Sequence, residues 1–118
     1  MRGKTEWIIA DGYMSDTENG GYVSHEAICV LNLSGSIAHI SITVYFEDAE
    51  PLRGIRAICE PDRTNHIRLD KAVSEDGKTV PRNTPYAVLV ESDVPIVVQA
   101  SRLDVSQAEY SLMTTIAY

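Results

Sequence analysis

The stretch "IAHISITVYFE", residues 37–47, decides the fold class. Ala38, Ile40, Ile42, Val44 and Phe46 alternate with His39, Ser41, Thr43 and Tyr45. A period of two puts the first set on one face of an extended strand and the second on the other, so one face is core and the other is wet or an interface. The same alternation, broken by clusters of Gly, Pro, Asn and Asp, predicts strands near 5–10, 22–33, 37–47, 52–60, 64–70, 86–92, 95–103 and 110–117. The predicted turns are "DGYMSDTENGG", "SGS", "EDAEP", "PDR", "KAVSEDGKTVPRNTP", "SD" and "DVSQAE", of which only the last has room for a helical turn. With no amphipathic helix of about ten residues or more, the pattern predicts an all-β chain: an antiparallel two-sheet β-sandwich, jelly-roll-like, of about eight strands.

The totals fit one domain over residues 1–118, with 44% apolar and 23% charged residues, an ordinary globular composition. Ten Lys and Arg against seventeen Asp and Glu leave a net charge of -7. That balance disfavours DNA binding, which depends on basic side chains displacing counterions from phosphates, and it disfavours adhesion to anionic lipid. It suits a basic partner or a neutral small ligand. The N-terminal "MRGKTEWIIADGY" holds only Trp7 to Ala10 as an apolar run, too short for a signal-peptide core or a membrane span, so the expected location is the cytoplasm. Cys29 and Cys59 lack metal-ligand spacing and read as buried free thiols.

Two segments are apolar on both faces. "HEAICVLNL" and "PIVVQAS" carry consecutive aliphatic residues, which predicts either a central place in a sheet or burial against another subunit. The second runs into a polar end, "VPIVVQASRLD", residues 94–104. In a regular strand Arg102 and Asp104 share a face with Val98 and Ala100, while Gln99 and Ser101 share the other. Two readings follow: Arg102 and Asp104 form a partly buried ion pair at a sheet or subunit boundary, or Gln99 and Arg102 grip the hydroxyls or carboxylate of a ligand.

"TNHIRLD" sets Thr64, His66, Arg68 and Asp70 on one face, either as a solvated polar ladder or, joined with His39 and Tyr45, as a sugar-binding patch. His25 and Glu26 are neighbours in a strand and point to opposite faces, which argues against an acid–base couple. The three histidines, His25, His39 and His66, give no metal-ligand spacing, and no phosphate loop, nucleophile elbow or HExxH motif occurs. No catalytic residue, metal or cofactor is assigned. The candidate ligand or polar-network residues are His25, Glu26, His66, Arg68, Gln99, Arg102 and Asp104.

Several of these stretches together carry a resemblance. "GY" at Gly12–Tyr13, "SHEAICVLN" at 24–32, "AHISITVYFED" followed by "EP" over 38–51, "RTNHIR" at 63–68, "VPIVVQASRLD" at 94–104, Gln107–Ala108 and "TTIAY" at 114–118 occur in order over nearly the whole chain. In these the chain resembles the sensory rhodopsin transducer family. Met14 stands where that family carries a proline after Gly-Tyr. The resemblance implies a jelly-roll β-sandwich similar to carbohydrate-binding modules, assembled as a homotetramer. It also implies a non-enzymatic signalling protein that docks on the cytoplasmic side of a membrane-embedded sensory rhodopsin, with DNA binding proposed downstream. The alternative function is a small-ligand, sugar-like binding module on the same fold, uncoupled from any rhodopsin.

Overall fold

The computed structural model describes residues 2–118. Its strands are β1 (Lys4–Gly12), β2 (Glu18–Asn19), β3 (Tyr22–Val23), β4 (His25–Asn32), β5 (Ala38–Phe46), β6 (Leu52–Cys59), β7 (Arg63–Arg68), β8 (Tyr86–Asp104) and β9 (Ser111–Ile116). The all-β prediction holds, and all the strand pairings are antiparallel.

β8 is one strand of 19 residues, where the sequence pattern predicted two strands separated by an "SD" turn. Its first part, Tyr86 to Ser92, lies between β5 and β1. Its second part, Val97 to Asp104, lies between β4 and β9. One sheet therefore runs β6-β5-β8-β1 and the other β7-β4-β8-β9, and the long strand passes from one to the other between them. Pro95 sits at the passage, where its missing N–H breaks no ladder bond. Asp93 does not turn the chain. Its carboxylate accepts the His39 backbone N–H at 2.8 Å and the His39 Nδ1–H at 2.7 Å, holding β5 against the crossing.

The decisive alternation in β5 is borne out. Ala38, Ile40, Ile42 and Val44 are buried and His39 and Tyr45 are exposed. They pack with Ile28, Val30, Val88, Val90, Ile96 and Val98 between the two sheets. Thr43 is also buried, beside the register shift between Ile42 and Val44, across which the β6 partner changes from Ile55 to Leu52. The side of the sandwich between the edge strands is partly closed by the chain end: the Tyr118 N–H donates to the Ile8 carbonyl at 2.9 Å, and Ile8 returns the bond.

Three further predictions need correction. The segment 22–33 is interrupted at Ser24, whose N–H bonds Thr17 and whose hydroxyl accepts the Val105 N–H at 3.0 Å. The helical turn lies at Leu69–Lys71, as a single 3-10 turn, and not in "DVSQAE". His39 and Tyr45 lie on β5 while His66 and Arg68 lie on β7, in different sheets, so the four do not form one patch. Both doubly apolar segments are central in the second sheet, as the pattern required, yet Leu31 on its outer face is exposed and Cys29 and Val97 are half-buried.

Candidate functional site

The polar end of β8 is explained by a carboxylate on the neighbouring strand. Glu26 is the register partner of Arg102, so their side chains leave the same face of adjacent strands. That face is the core side, and Glu26 is buried. Its Oε2 accepts the Arg102 Nε–H at 2.8 Å, and its Oε1 accepts both the Tyr13 N–H at 3.0 Å and the Tyr86 hydroxyl. Tyr86 begins β8 and Arg102 stands near its end, so one carboxylate joins two distant points of one strand across the sandwich. Gly12 is required here: a Cβ at that position would run into the Tyr86 ring.

The electrostatics follow from burial. Desolvation, then the adjacent Glu26 charge, push the Tyr86 phenol far above its usual range, so it stays a proton donor. Burial works against the Arg102 charge, but the Glu26 hydrogen bond and charge outweigh it, and Asp11 adds to the effect, so its affinity for the proton rises. The exposed Asp11 carboxylate lies 4.0 Å from Arg102 Nη2. Above the network is a cavity of about 280 Å³ lined by Glu26, Arg102, Asp11 and Ile9 together with Met113 and Tyr118 from the C-terminal segment. Neither terminal nitrogen of Arg102 donates a hydrogen bond to protein among the described residues, and Arg102 borders this cavity. The arrangement can present guanidinium N–H donors beside an exposed carboxylate and an apolar wall, a combination suited to a small hydroxylated molecule.

The remaining predicted residues do not converge there. Asp104 is not the partner of Arg102; its Oδ1 accepts the Ser106 N–H at 2.8 Å, and those Ser106 hydrogen bonds hold its carboxyl below the usual range. Gln99 lies on the opposite face from Arg102, as alternation requires, and both Gln99 and His66 are register neighbours of Cys29. His25 points away from Glu26, its Nδ1 lying 2.9 Å from the Val23 carbonyl. Arg68 forms a second network, with two 2.7 Å bonds to Asp70. Arg82 stands 3.7 Å from Asp70 and donates to the Ser15 and Ser24 carbonyls at 2.7 Å each, tying the long loop to the β1–β4 connection.

Asp11, Tyr86 and Arg82 were not among the predicted site residues. For Tyr86 a signal existed, since a tyrosine buried in a strand needs a partner for its hydroxyl. For Asp11 and Arg82 there was none, because their partners come from segments far away in sequence. Among the described residues, no cluster of three or more His, Cys, Asp or Glu side chains is placed to hold a metal ion, and no helix is long and apolar enough to cross a membrane.

With this geometry in view, comparison with known proteins is decisive: the family model described as Anabaena sensory rhodopsin transducer matches residues 2–118. The chain belongs to that family. A solved Thermotoga maritima protein, designated 1070, is 41% identical, with a TM-score of 0.89 over 100% of this chain and 96% of that one. The solved structure of the Anabaena sensory rhodopsin transducer is 40% identical, with a TM-score of 0.75 over 90% of this chain and 93% of that one. No curated protein matches. In this transducer-family chain the position after Gly12–Tyr13 is filled by Met14, whose side chain is fully buried.

The second network makes a pH prediction. Burial pushes the Asp70 carboxyl up, but the Arg68 hydrogen bonds and charge, with a smaller pull from His25, outweigh it and leave it below the usual carboxylate range. Its contribution to stability is complete above the unfolded value of about 3.9 and is lost as pH falls through the lower folded value. Asp70→Asn should lower urea stability at neutral pH and flatten its fall below about pH 4. An unchanged acid limb would contradict this assignment.

Proposed function

We propose that this chain is a non-enzymatic, cytoplasmic signalling protein that works as a homotetramer and docks on the inner face of a membrane-embedded sensory rhodopsin. Membership of the transducer family over residues 2–118 carries this reading. Charge supports it: a net charge of -7 per chain disfavours DNA, and tetramer assembly multiplies it. The cytoplasmic loops of membrane proteins are enriched in Lys and Arg, which would steer such an assembly toward them.

Self-association is supported by the outer face of the second sheet. Leu31, Leu112 and Ile116 are exposed there, with Cys29, Val97 and Leu103 half-buried beside them. Register places these side chains on neighbouring strands as one surface, with Gln99, His66 and Ser101 between them. A mostly apolar sheet face with interspersed polar groups matches the make-up of a subunit interface. Light scattering should give about four times the 13.0 kDa chain mass, and Leu31→Glu with Ile116→Glu should shift it toward the monomer. A wild-type mass of 13.0 kDa would overturn the assembly. For the receptor, tagged protein incubated with detergent-solubilised membranes should retain a seven-helix retinal protein at low salt and release it at high salt. Retention of no retinal protein under either condition would remove the docking role.

A second reading is favoured by the cavity beside Arg102: a small, hydroxylated, sugar-like ligand bound there, with Asp11 accepting and Arg102 donating hydrogen bonds. A saturating ligand, about a hundredfold above its dissociation constant, would stabilise the fold by about 2.7 kcal/mol. A panel of sugars should then raise the melting temperature of the wild type and not of Asp11→Asn; no shift with any sugar would dismiss the reading.

A further inference from the structure

Another depression lies away from Arg102. It is a groove of about 680 Å³ between the β5–β6 loop and the long loop that precedes β8. Phe46, Leu52, Pro81 and Pro85 contribute apolar surface to it. Phe46 and Leu52 also pack on the hydrophobic core, so the floor is fixed. The long-loop wall is equally fixed. The Ser74 N–H bonds the Lys78 carbonyl at 2.8 Å, the Glu75 N–H bonds the Arg53 carbonyl at 3.0 Å, and the Asn83 N–H bonds the Met14 carbonyl at 2.7 Å. A groove held open in this way needs little ordering when something enters it.

The chemistry of the lips is one-sided. Glu47, Asp48 and Glu50 line the groove from the β5–β6 loop, all exposed, and none has an ion-pair partner among the described residues. The opposing cation is Lys78, which stands 3.6 Å from the Asp76 carboxylate. Phe46, Glu47 and Pro85 also border a separate depression of about 300 Å³ with Tyr45, Ala10 and Ala87. An apolar groove with unpaired carboxylates along one lip complements a segment whose Lys or Arg residues flank an aliphatic or aromatic side chain.

We propose that this groove is a docking site for a basic segment of a protein partner, with an apolar anchor seated between Phe46, Leu52 and Pro85 and its Lys or Arg side chains on Glu47, Asp48 and Glu50. The site stands on its own chemistry and goes beyond receptor docking, because any partner presenting such a segment would fit.

The test is a titration of the full chain, followed by backbone amide NMR and fluorescence anisotropy, with the synthetic peptide Lys-Leu-Lys-Phe-Arg-Lys as probe. Shift changes are expected at Phe46, Leu52, Thr79 and Thr84, and none with a peptide in which Glu replaces each Lys and Arg. The double variant Glu47→Lys, Glu50→Lys, both at exposed sites, should weaken binding by about tenfold or more, while Glu60→Lys with Glu109→Lys, the same charge change elsewhere, should weaken it by no more than about twofold. Absence of peptide binding, shifts confined to another face, or equal loss in the two double variants would each overturn the proposal. Salt-sensitive retention of a retinal protein by the Glu47→Lys, Glu50→Lys variant at the wild-type level would leave the receptor role in place and remove this groove from it.

Discussion

The buried Glu26 carboxylate is the constraint on which the rest of the structure depends. A charge taken out of water is tolerated only when paired and hydrogen-bonded, and Glu26 is served by the Arg102 guanidinium, the Tyr86 hydroxyl and the Tyr13 N–H together. Two of those donors stand at opposite ends of β8, in opposite sheets. Satisfying the carboxylate therefore fixes how far the long strand bends between the sheets. It also fixes where β1 ends, since Gly12 must lie against the Tyr86 ring. The cavity beside Arg102 is a consequence of the same arrangement: the guanidinium spends Nε on Glu26 and leaves its outer nitrogens toward the edge between β1 and β9.

Much of the fold was legible locally because alternation in a half-buried strand is a local property. Ala38 to Phe46 declare their two faces without reference to any partner, and the core of β5 follows. The continuity of β8 was not legible for the same reason. Ser92 and Asp93 are turn-forming residues by type, yet the Asp93 carboxylate is consumed by His39 on a strand more than fifty residues away. With that contact the chain runs straight on into Pro95 and the second sheet. Alternation correctly placed Arg102 on the same face as Val98 and Gln99 on the other, but it could not supply the partner. Asp104, two residues away, was the nearest carboxylate in sequence; Glu26, directly across the ladder, is the one that binds. Pairing order, which no single strand encodes, made that difference.

The two surfaces to which roles are proposed follow from how the sandwich finishes its edges. The second sheet turns an apolar face outward because β4 and β8 are apolar on both sides, the make-up on which the proposed self-association rests. The β5–β6 loop, by contrast, gathers carboxylates next to fixed apolar floor residues, which suits a basic partner and repels nucleic acid. The surfaces proposed for self-assembly and for partner docking thus lie on separate parts of the molecule. Neither surface draws on the Glu26 network directly, but the outer sheet face is built in part on β8, the strand whose two ends that network joins.

The most direct test of the account is a double-mutant cycle between Tyr86→Phe and Arg102→Met, read by urea unfolding. These side chains serve Glu26 from the two ends of one strand. If Glu26 is their shared acceptor, the two losses should be coupled by about 0.5–3 kcal/mol, as expected for members of one hydrogen-bond network. Losses that simply add, to within about 0.3 kcal/mol, would mean that the two ends of β8 are held independently, and would contradict the account.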